Sequence, residues 1–170
     1  KSWSITKANM EVSAPENEVV YNGEPHSATI NVTKPAEGAA ITYKTNPDAD
    51  YTPDAPSFTD IGTYTVYFKV TNGNFNDYTG SAIVKITPAP ITPEVSIEGW
   101  IYGEEANEPE TTGNPGEGNV AYTYKVKTAD DSTYSGEVPT NAGDYTVKAT
   151  VEANGNYQAG VATKDFVVAK

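Results

Sequence analysis

"FTDIGTYTV" at Phe58–Val66 returns as "PTNAGDYTV" at Pro139–Val147, 81 positions further along the chain. In both copies a glycine comes two residues before a tyrosine, and apolar side chains then occupy every second position. A period of two with one apolar face is typical of a half-buried antiparallel strand. We therefore expect the same strand, with the same bend before it, in two parts of the protein.

Other segments repeat at this spacing, which indicates a duplicated module rather than a duplicated phrase. They are Tyr21 with Tyr102, Tyr43 with Tyr124 and, after one inserted residue, "NGNF" at Asn72–Phe75 with "NGNY" at Asn154–Tyr157. The 170 residues thus predict two domains, over 9–88 and 89–170.

The ends of the modules repeat as well, as "WSITKA" from Trp3, "VKITPA" from Val84 and "FVVAK" from Phe166. Each resembles a final strand that runs into the next module. Residues 1–8 are accordingly expected to be the last strand of an upstream repeat or an N-terminal extension. Whether Trp3 and Ile5 belong to that upstream strand or join the first module stays open.

The stretch between the modules, "ITPAPITPEV", is rich in proline. Proline at this density favours an extended, semi-rigid chain, so we expect a stiff linker here.

The remaining pattern predicts an all-β fold. Twelve Tyr and many Thr and Val suit strands, and no stretch has a sustained helical period. Further strands are expected at Met10–Ala14, Ser27–Val32, Ala40–Thr45 and Ala121–Lys127. Several short strands in about 80 residues indicate a sandwich, hence two tandem immunoglobulin-like antiparallel β-sandwich domains.

The repeated phrase resembles the tyrosine corner of such sandwiches, in which a tyrosine hydroxyl bonds to upstream backbone. Val66 and Val147 stand where a disulfide cysteine would be, so apolar packing is expected to replace the bridge. Gly62 and Gly143 are expected to take the tight bend before the strand.

Charge and composition exclude several classes of partner. The net charge of −12 argues against nucleic acid and against anionic membrane surfaces, since both are bound by Lys and Arg. The absence of cysteine excludes disulfides and thiolate metal sites. From these residues we expect no signal peptide and no segment that spans a bilayer, because no apolar run has the required length.

Residues that could carry chemistry lack the partners that the chemistry needs. His26 is the only histidine, and Asn107 stands at the equivalent place in the second module. We expect His26 on the surface, Trp100 in a packed position and Tyr67 facing outward alone. Two acidic clusters, at Asp48, Asp50 and Asp54 and at Asp130 and Asp131, are expected to be solvated turns rather than calcium loops. We therefore predict no catalytic, cofactor-binding or metal-binding residues.

Longer motifs carry a family resemblance. "GWIYGEEANEPETTGNPGEGNVAYTYKVK", "VPTNAGDYTVKATV" and "NGNYQAG" in the second module resemble MBG or YDG-type bacterial immunoglobulin-like repeats. The first module is similar to a sister type through "VVYNGEPHSATINV", "PSFTDIGTYTVYFKV" and "GSAIVKITPA".

The resemblance implies a non-catalytic stalk or spacer in an extracellular bacterial adhesin-like protein. Its expected partners are neighbouring repeats of the same chain, with no membrane insertion. The alternative is a module that binds carbohydrate or a host glycoprotein.

Overall fold

A computed structural model describes residues 2–170 of the chain. The chain divides into two units, with the boundary between Thr87 and Pro88. Apart from one 3-10 turn at Asp131–Thr133, the regular structure of the described residues consists of strands. The expectation of an all-β fold in two tandem domains is confirmed.

Unit 1 builds one four-stranded sheet and two strand pairs. Its strands are β1 (Glu11–Ser13), β2 (Asn17–Val20), β3 (His26–Ser27), β4 (Asn31–Lys34), β5 (Ala40–Lys44), β6 (Ser57–Phe58), β7 (Gly62–Thr71) and β8 (Tyr78–Thr87). The sheet has the order β2-β8-β7-β5, and the pairs are β1-β4 and β3-β6. The predicted strand at Ser27–Val32 is interrupted in the middle and becomes parts of β3 and β4.

Unit 2 repeats the four-stranded sheet and has one strand pair opposite it. Its strands are β9 (Glu94–Ser96), β10 (Trp100–Ile101), β11 (Glu110–Thr112), β12 (Val120–Val126), β13 (Gly143–Val151) and β14 (Gly160–Ala169). The sheet has the order β10-β14-β13-β12, and β9 pairs with β11.

One strand pair in each sheet is parallel, whereas the expectation was antiparallel throughout. Strand β2 runs parallel to β8, with Val19 opposite Ile86, and β10 runs parallel to β14, with Trp100 opposite Val168. Every other ladder between the described strands is antiparallel. In each sheet, the strand that comes first in the chain thus pairs with the strand that comes last.

The alternation read from the repeated phrase places the core. Val66, Phe68 and Val70 of β7 are buried, and so are Val147, Ala149 and Val151 of β13. In unit 1 they pack against Met10, Val12, Ile30 and Val32 at one end and against Val19 and Tyr21 at the other, while Tyr43 contacts both groups. In unit 2, Trp100 and Phe166 join this core. Burial of these apolar side chains is the main stabilising contribution in both units.

Both tyrosine corners form as predicted. The hydroxyl of Tyr64 donates to the carbonyl of Asp60 at 3.0 Å, and that of Tyr145 donates to the carbonyl of Asn141 at 3.0 Å. Each bond spans four residues and closes the bend that precedes its strand.

The glycine of each corner leaves room for the phenol ring. A Cβ atom on Gly62 would lie 2.9 Å from Cζ of Tyr64, closer than van der Waals contact allows. At Gly143 the nearest ring atom of Tyr145 would be 3.4 Å away. The sequence predicts that the glycines serve the bend itself, and the contact with the ring adds a second reason for them.

Most of the proline-rich stretch belongs to unit 2, so the expectation of a linker is wrong for that part. The amide of Ala89 donates to the carbonyl of Asn156 at 2.9 Å, and Gln158 Nε2 donates to the carbonyl of Pro88 at 2.9 Å. Pro93 lies against Gly160, where a Cβ atom would approach it to 2.8 Å. The prolines here cover the start of β14 rather than span a gap.

Candidate functional site

The sequence-predicted candidates are scattered over the two units. His26 is half-buried in β3, and its Nε2 atom lies 2.9 Å from Oδ1 of Asn22. At the equivalent place, Nδ2 of Asn107 donates to the carbonyl of Gly99 at 3.1 Å. His26 therefore bonds to the turn before β3, and Asn107 bonds to the backbone just before β10, and both are structural roles.

The acidic turns are engaged in local bonds or exposed to solvent. Oδ1 of Asp130 accepts from the amide of Ser132 at 2.9 Å, and this bond lowers the pKa of the Asp130 carboxyl. Asp131 pairs with Lys125 at 2.7 Å. The described residues contain no group of three or more His, Cys, Asp or Glu placed to hold a metal ion.

Trp100 lies in the core of unit 2. Its ring stacks on Phe166 with 5.2 Å between ring centroids, and the side chain is buried. A buried indole offers no face to a ligand.

Tyr67 is not alone, because a second tyrosine from a loop shares its surface. Lys44, Tyr51 and Tyr67 line a groove of about 340 Å³ on the outer face of the unit 1 sheet. Thr79 and Ser81 of β8 form its floor together with Gly80. The Lys44 ammonium lies 4.6 Å from the centre of the Tyr51 ring.

The equivalent surface in unit 2 is arranged differently. Lys148 stands where unit 1 has Tyr67, 81 residues earlier, and its ammonium lies 3.9 Å from the centre of the Tyr134 ring. Lys125, the equivalent of Lys44, approaches the same ring to 5.3 Å. The Tyr134 ring thus has two lysines beside it, whereas the Tyr51 ring has one lysine beside it and shares a groove with Tyr67.

Beside the groove, Lys69 of β7 forms an ion pair, while Lys44 in the groove lining donates to the carbonyl of Pro47. Lys69 lies 2.8 Å from Asp77, and the hydrogen bond between them raises the pKa of Lys69 and lowers that of Asp77. Both groups therefore stay ionised at neutral pH. The groove thus offers aromatic faces and hydroxyl groups beside a paired lysine.

Sequence reasoning passed over Tyr51. The sequence does contain a signal for this residue. In each module a strand lysine is followed by a loop tyrosine, Lys44 by Tyr51 in the first and Lys125 by Tyr134 in the second. The spacing differs by two residues between the modules, which hides the correspondence in a fixed-spacing comparison.

On the outer face of the unit 2 sheet, three polar side chains form a hydrogen-bonded network that unit 1 does not repeat in its described residues. The hydroxyl of Thr146 donates to Oδ1 of Asp165 at 2.6 Å, and Lys127 lies 2.9 Å from Oδ2 of the same carboxylate. The bond from Thr146 and then the one from Lys127 hold the pKa of Asp165 below its ordinary value. Ile83 occupies the equivalent position in unit 1.

Residues 11–90 and 99–170 each match the family model described as the MBG domain, and each range lies mostly within one of the two β-units. The chain belongs to the MBG domain family. The two corners, the two parallel ladders and the shared strand order are therefore features of two MBG repeats.

Among curated proteins, no sequence matches the two MBG repeats significantly. Solved structures that resemble the chain include EC1-2 of human mucin-like protocadherin, at 15% identity and a TM-score of 0.32, covering 93% of this chain and 98% of that one. The SGBP-B protein of Bacteroides ovatus, in complex with a mixed-linkage heptasaccharide, has 12% identity and a TM-score of 0.36, covering 92% and 48%. The tandem Ig repeats of Dlar have 14% identity and a TM-score of 0.27, covering 95% and 98%. Likenesses of this strength carry no conclusion about the architecture, a ligand or a partner of this chain.

Within residues 2–170, no helix combines the length and the apolar composition that crossing a bilayer requires.

Proposed function

We propose that the two MBG repeats are non-catalytic spacer modules of an extracellular bacterial surface protein, with neighbouring repeats of the same chain as their partners. The observation that carries this proposal is where the chain enters and leaves each repeat. A spacer gains length from every copy only if these two points lie at opposite ends of the module.

In unit 1 the chain enters beside the start of β8 and leaves at its end. The amide of Ala8 donates to the carbonyl of Asn74 at 3.1 Å, close to the first residue of β8. The chain leaves at Thr87, whose carbonyl accepts from the amide of Tyr21 at 2.8 Å. Strand β8 has ten residues, which span roughly 33 Å at about 3.3 Å each.

Unit 2 has the same pair of contacts. Ala89 pairs with the turn before β14, and the amide of Tyr102 donates to the carbonyl of Ala169 at 2.8 Å. Because β10 and β14 are parallel, tension on the two ends of the unit loads their hydrogen bonds together, in shear. Backbone hydrogen bonds that are loaded in shear break together, whereas a hairpin that is pulled apart from its open end loses one hydrogen bond at a time. This arrangement suits a module that carries load.

Pulling the 170-residue chain by its two ends tests the proposal. Two force peaks are expected, each releasing one whole repeat, or roughly 25 nm of chain at about 3.3 Å per residue. Tyr21→Pro removes the N–H group that donates to Thr87, so it should lower the force of the unit 1 peak and leave the other peak unchanged.

Tyr21→Ala is the matched control, since it removes the side chain and keeps the N–H group. Tyr102→Pro should reproduce the effect in unit 2. A gradual release of chain without peaks, or equal forces for Tyr21→Pro and Tyr21→Ala, would count against a load-bearing role. Antibodies to the two repeats should label intact producing cells, and labelling only after lysis would refute the extracellular assignment.

The second candidate function is binding of a saccharide, and the groove of unit 1 is the observation that favours it. Tyr51 and Tyr67 supply ring faces for the apolar side of a pyranose, while Thr79 and Ser81 supply hydroxyl groups for its edge. Two aromatic residues in one groove form a better platform than the single Tyr67 that the sequence indicated.

A glycan array followed by titration calorimetry tests this candidate. A saccharide that binds should lose at least tenfold in affinity with Tyr51→Ala and with Tyr67→Lys. The second change installs the residue that covers the equivalent surface in unit 2. Lys148→Ala in unit 2 is the control and should leave the affinity unchanged. Absence of any bound glycan, or binding that ignores both groove variants, would eliminate the candidate.

A further inference from the structure

Two of the largest apolar side chains at the start of the chain are in water. Trp3 is 93% exposed and Ile5 is 100% exposed. Neither lies in a strand, and the first backbone pairing is that of Ala8. A tryptophan and an isoleucine two residues apart on an extended segment share one face, as in a strand with a buried side.

The junction repeat assigns these two residues to core positions. Aligning "WSITKA" with "VKITPA" and "FVVAK" places Trp3 with Val84 and Phe166, and Ile5 with Ile86 and Val168. The four equivalents are all buried, with at most 5% of each side chain exposed. They form the apolar face of the last strand in unit 1 and unit 2.

The backbone supports this alignment independently of the side chains. Ala8 forms a parallel bridge with Phe75, and Ala89 forms a parallel bridge with Tyr157. The two alanines are therefore the same point in two repeats. Since the residues before Ala89 are the last strand of the preceding unit, the residues before Ala8 occupy the same place relative to unit 1.

We propose that residues 2–6 are the last strand of a preceding MBG repeat and that Trp3 and Ile5 complete its core. In that repeat the segment would pair in antiparallel register with the counterpart of β7 and in parallel register with the counterpart of β2. A second copy of this chain is a poor partner, because β8 and β14 already occupy the last-strand position in both units. The inference rests on the repeat architecture and not on the spacer role.

A chain that supplies the missing repeat tests the inference. Residues 88–163, which lack the buried part of β14, are fused directly to the amino terminus of the full chain. Lys1 then stands in the place of Lys164, Trp3 in that of Phe166 and Ile5 in that of Val168. The amides of residues 3–6 should exchange with solvent at least 100-fold more slowly than in the 170-residue chain, as measured by hydrogen exchange with mass spectrometry.

Ile5→Asp in the extended chain is the matched control and should abolish the protection while units 1 and 2 keep theirs. Trp3→Phe installs the residue that unit 2 has at this position, Phe166. It shows whether the size of the indole, rather than the position of the segment, limits the protection. The inference is overturned if residues 3–6 with native Trp3 exchange as fast as in the 170-residue chain, whether or not the Trp3→Phe chain gains protection. It is also overturned if Ile5→Asp leaves the protection intact. The pulling experiment on units 1 and 2 is unaffected by either result.

Discussion

The two units place their largest core side chains at opposite ends of the four-stranded sheet. In unit 1, Phe68 faces Gly80 across the β7–β8 ladder, whereas the equivalent residues in unit 2 are Ala149 and Ala162. A Cβ atom on Gly80 would lie 2.8 Å from Cζ of Phe68, so the glycine makes space for the ring. Both members of the pair therefore differ between the two units, one large and one small residue in unit 1 and two alanines in unit 2.

At the other end the relation is reversed. Unit 1 has Val19 and Val84 there, and unit 2 has Trp100 and Phe166, whose rings stack. Core volume is therefore placed differently in two repeats that share their strand order and their corners. Packing tolerates such an exchange when facing residues change together, while a hydrogen bond such as that of the corner depends on fixed geometry.

The largest effect on stability is expected from removing the Phe68 ring, which fills the core of unit 1 beside Gly80. Phe68→Ala should leave a cavity next to Gly80 and lower the unfolding free energy of unit 1 by about 3–5 kcal/mol. Adding Gly80→Ala installs the residue pair of unit 2 and should recover part of the loss. Hydrogen exchange under increasing urea, followed on peptides from β7 and from β13, measures the two units separately.

Unit 2 is the internal reference for this change and should keep its stability. If Gly80→Ala in the Phe68→Ala background lowers the stability further, the two positions are not a coupled set and the comparison fails.

The corner glycines should differ in their tolerance of a methyl group. Gly62→Ala brings a Cβ atom within 2.9 Å of the Tyr64 ring, whereas the distance at Gly143 is 3.4 Å. We expect Gly62→Ala to destabilise unit 1 by about 1–2 kcal/mol and Gly143→Ala to change unit 2 by less than about 0.5 kcal/mol. Equal losses in urea unfolding would show that the ring contact does not decide the outcome.

The corner hydroxyls should be equivalent. Tyr64→Phe and Tyr145→Phe each remove a bond of 3.0 Å and keep the ring. Tyr64→Phe also removes the longer contact of the hydroxyl with the carbonyl of Ile61, at 3.4 Å. Each is expected to lower the stability of its own unit by about 1 kcal/mol. The same exchange measurement checks this, and a loss confined to one unit would mean that the two corners are not alike.

The smallest effect concerns acid. In the folded protein the pKa of Asp165 lies below its ordinary value of 3.8, because Thr146 and Lys127 bond to the carboxylate. A lowered pKa stabilises the fold above the unfolded-state value, and this contribution disappears as the pH falls through the folded value. Asp165→Asn should therefore weaken unit 2 near neutral pH, with a difference from the native chain that shrinks below about pH 4.

Unit 1 has Ile83 at this position and should not respond to the change. Trp100 fluorescence during urea unfolding at several pH values reports on unit 2. A difference between the two chains that is constant with pH would rule out the carboxylate as its cause.

The corner was predictable because all its parts lie within a few residues. The glycine, the tyrosine and the accepting carbonyl of Asp60 are close in sequence, and the phrase occurs twice. The alternation of β7 and β13 was predictable for the same reason, since one strand carries the whole pattern.

The parallel ladders were missed because their partners lie far apart in the chain. Strand β2 has four residues and β10 has two, too few for a clear alternation, and their pairing partners come more than 60 residues later. The groove was missed for a similar reason, because Tyr51 sits in a loop whose length differs between the modules. The prolines near Pro93 suggested a linker because composition alone does not reveal that they lie against Gly160.

The exchanged pair, Phe68 with Gly80 in one repeat and Ala149 with Ala162 in the other, limits how such an array can be rearranged in its gene. A crossover between two copies that falls outside this interval keeps this pair of residues together. A crossover inside it sets a phenyl ring against a methyl group in one product and leaves a hole in the other. The hairpin from β7 to β8 is therefore expected to be inherited as one block.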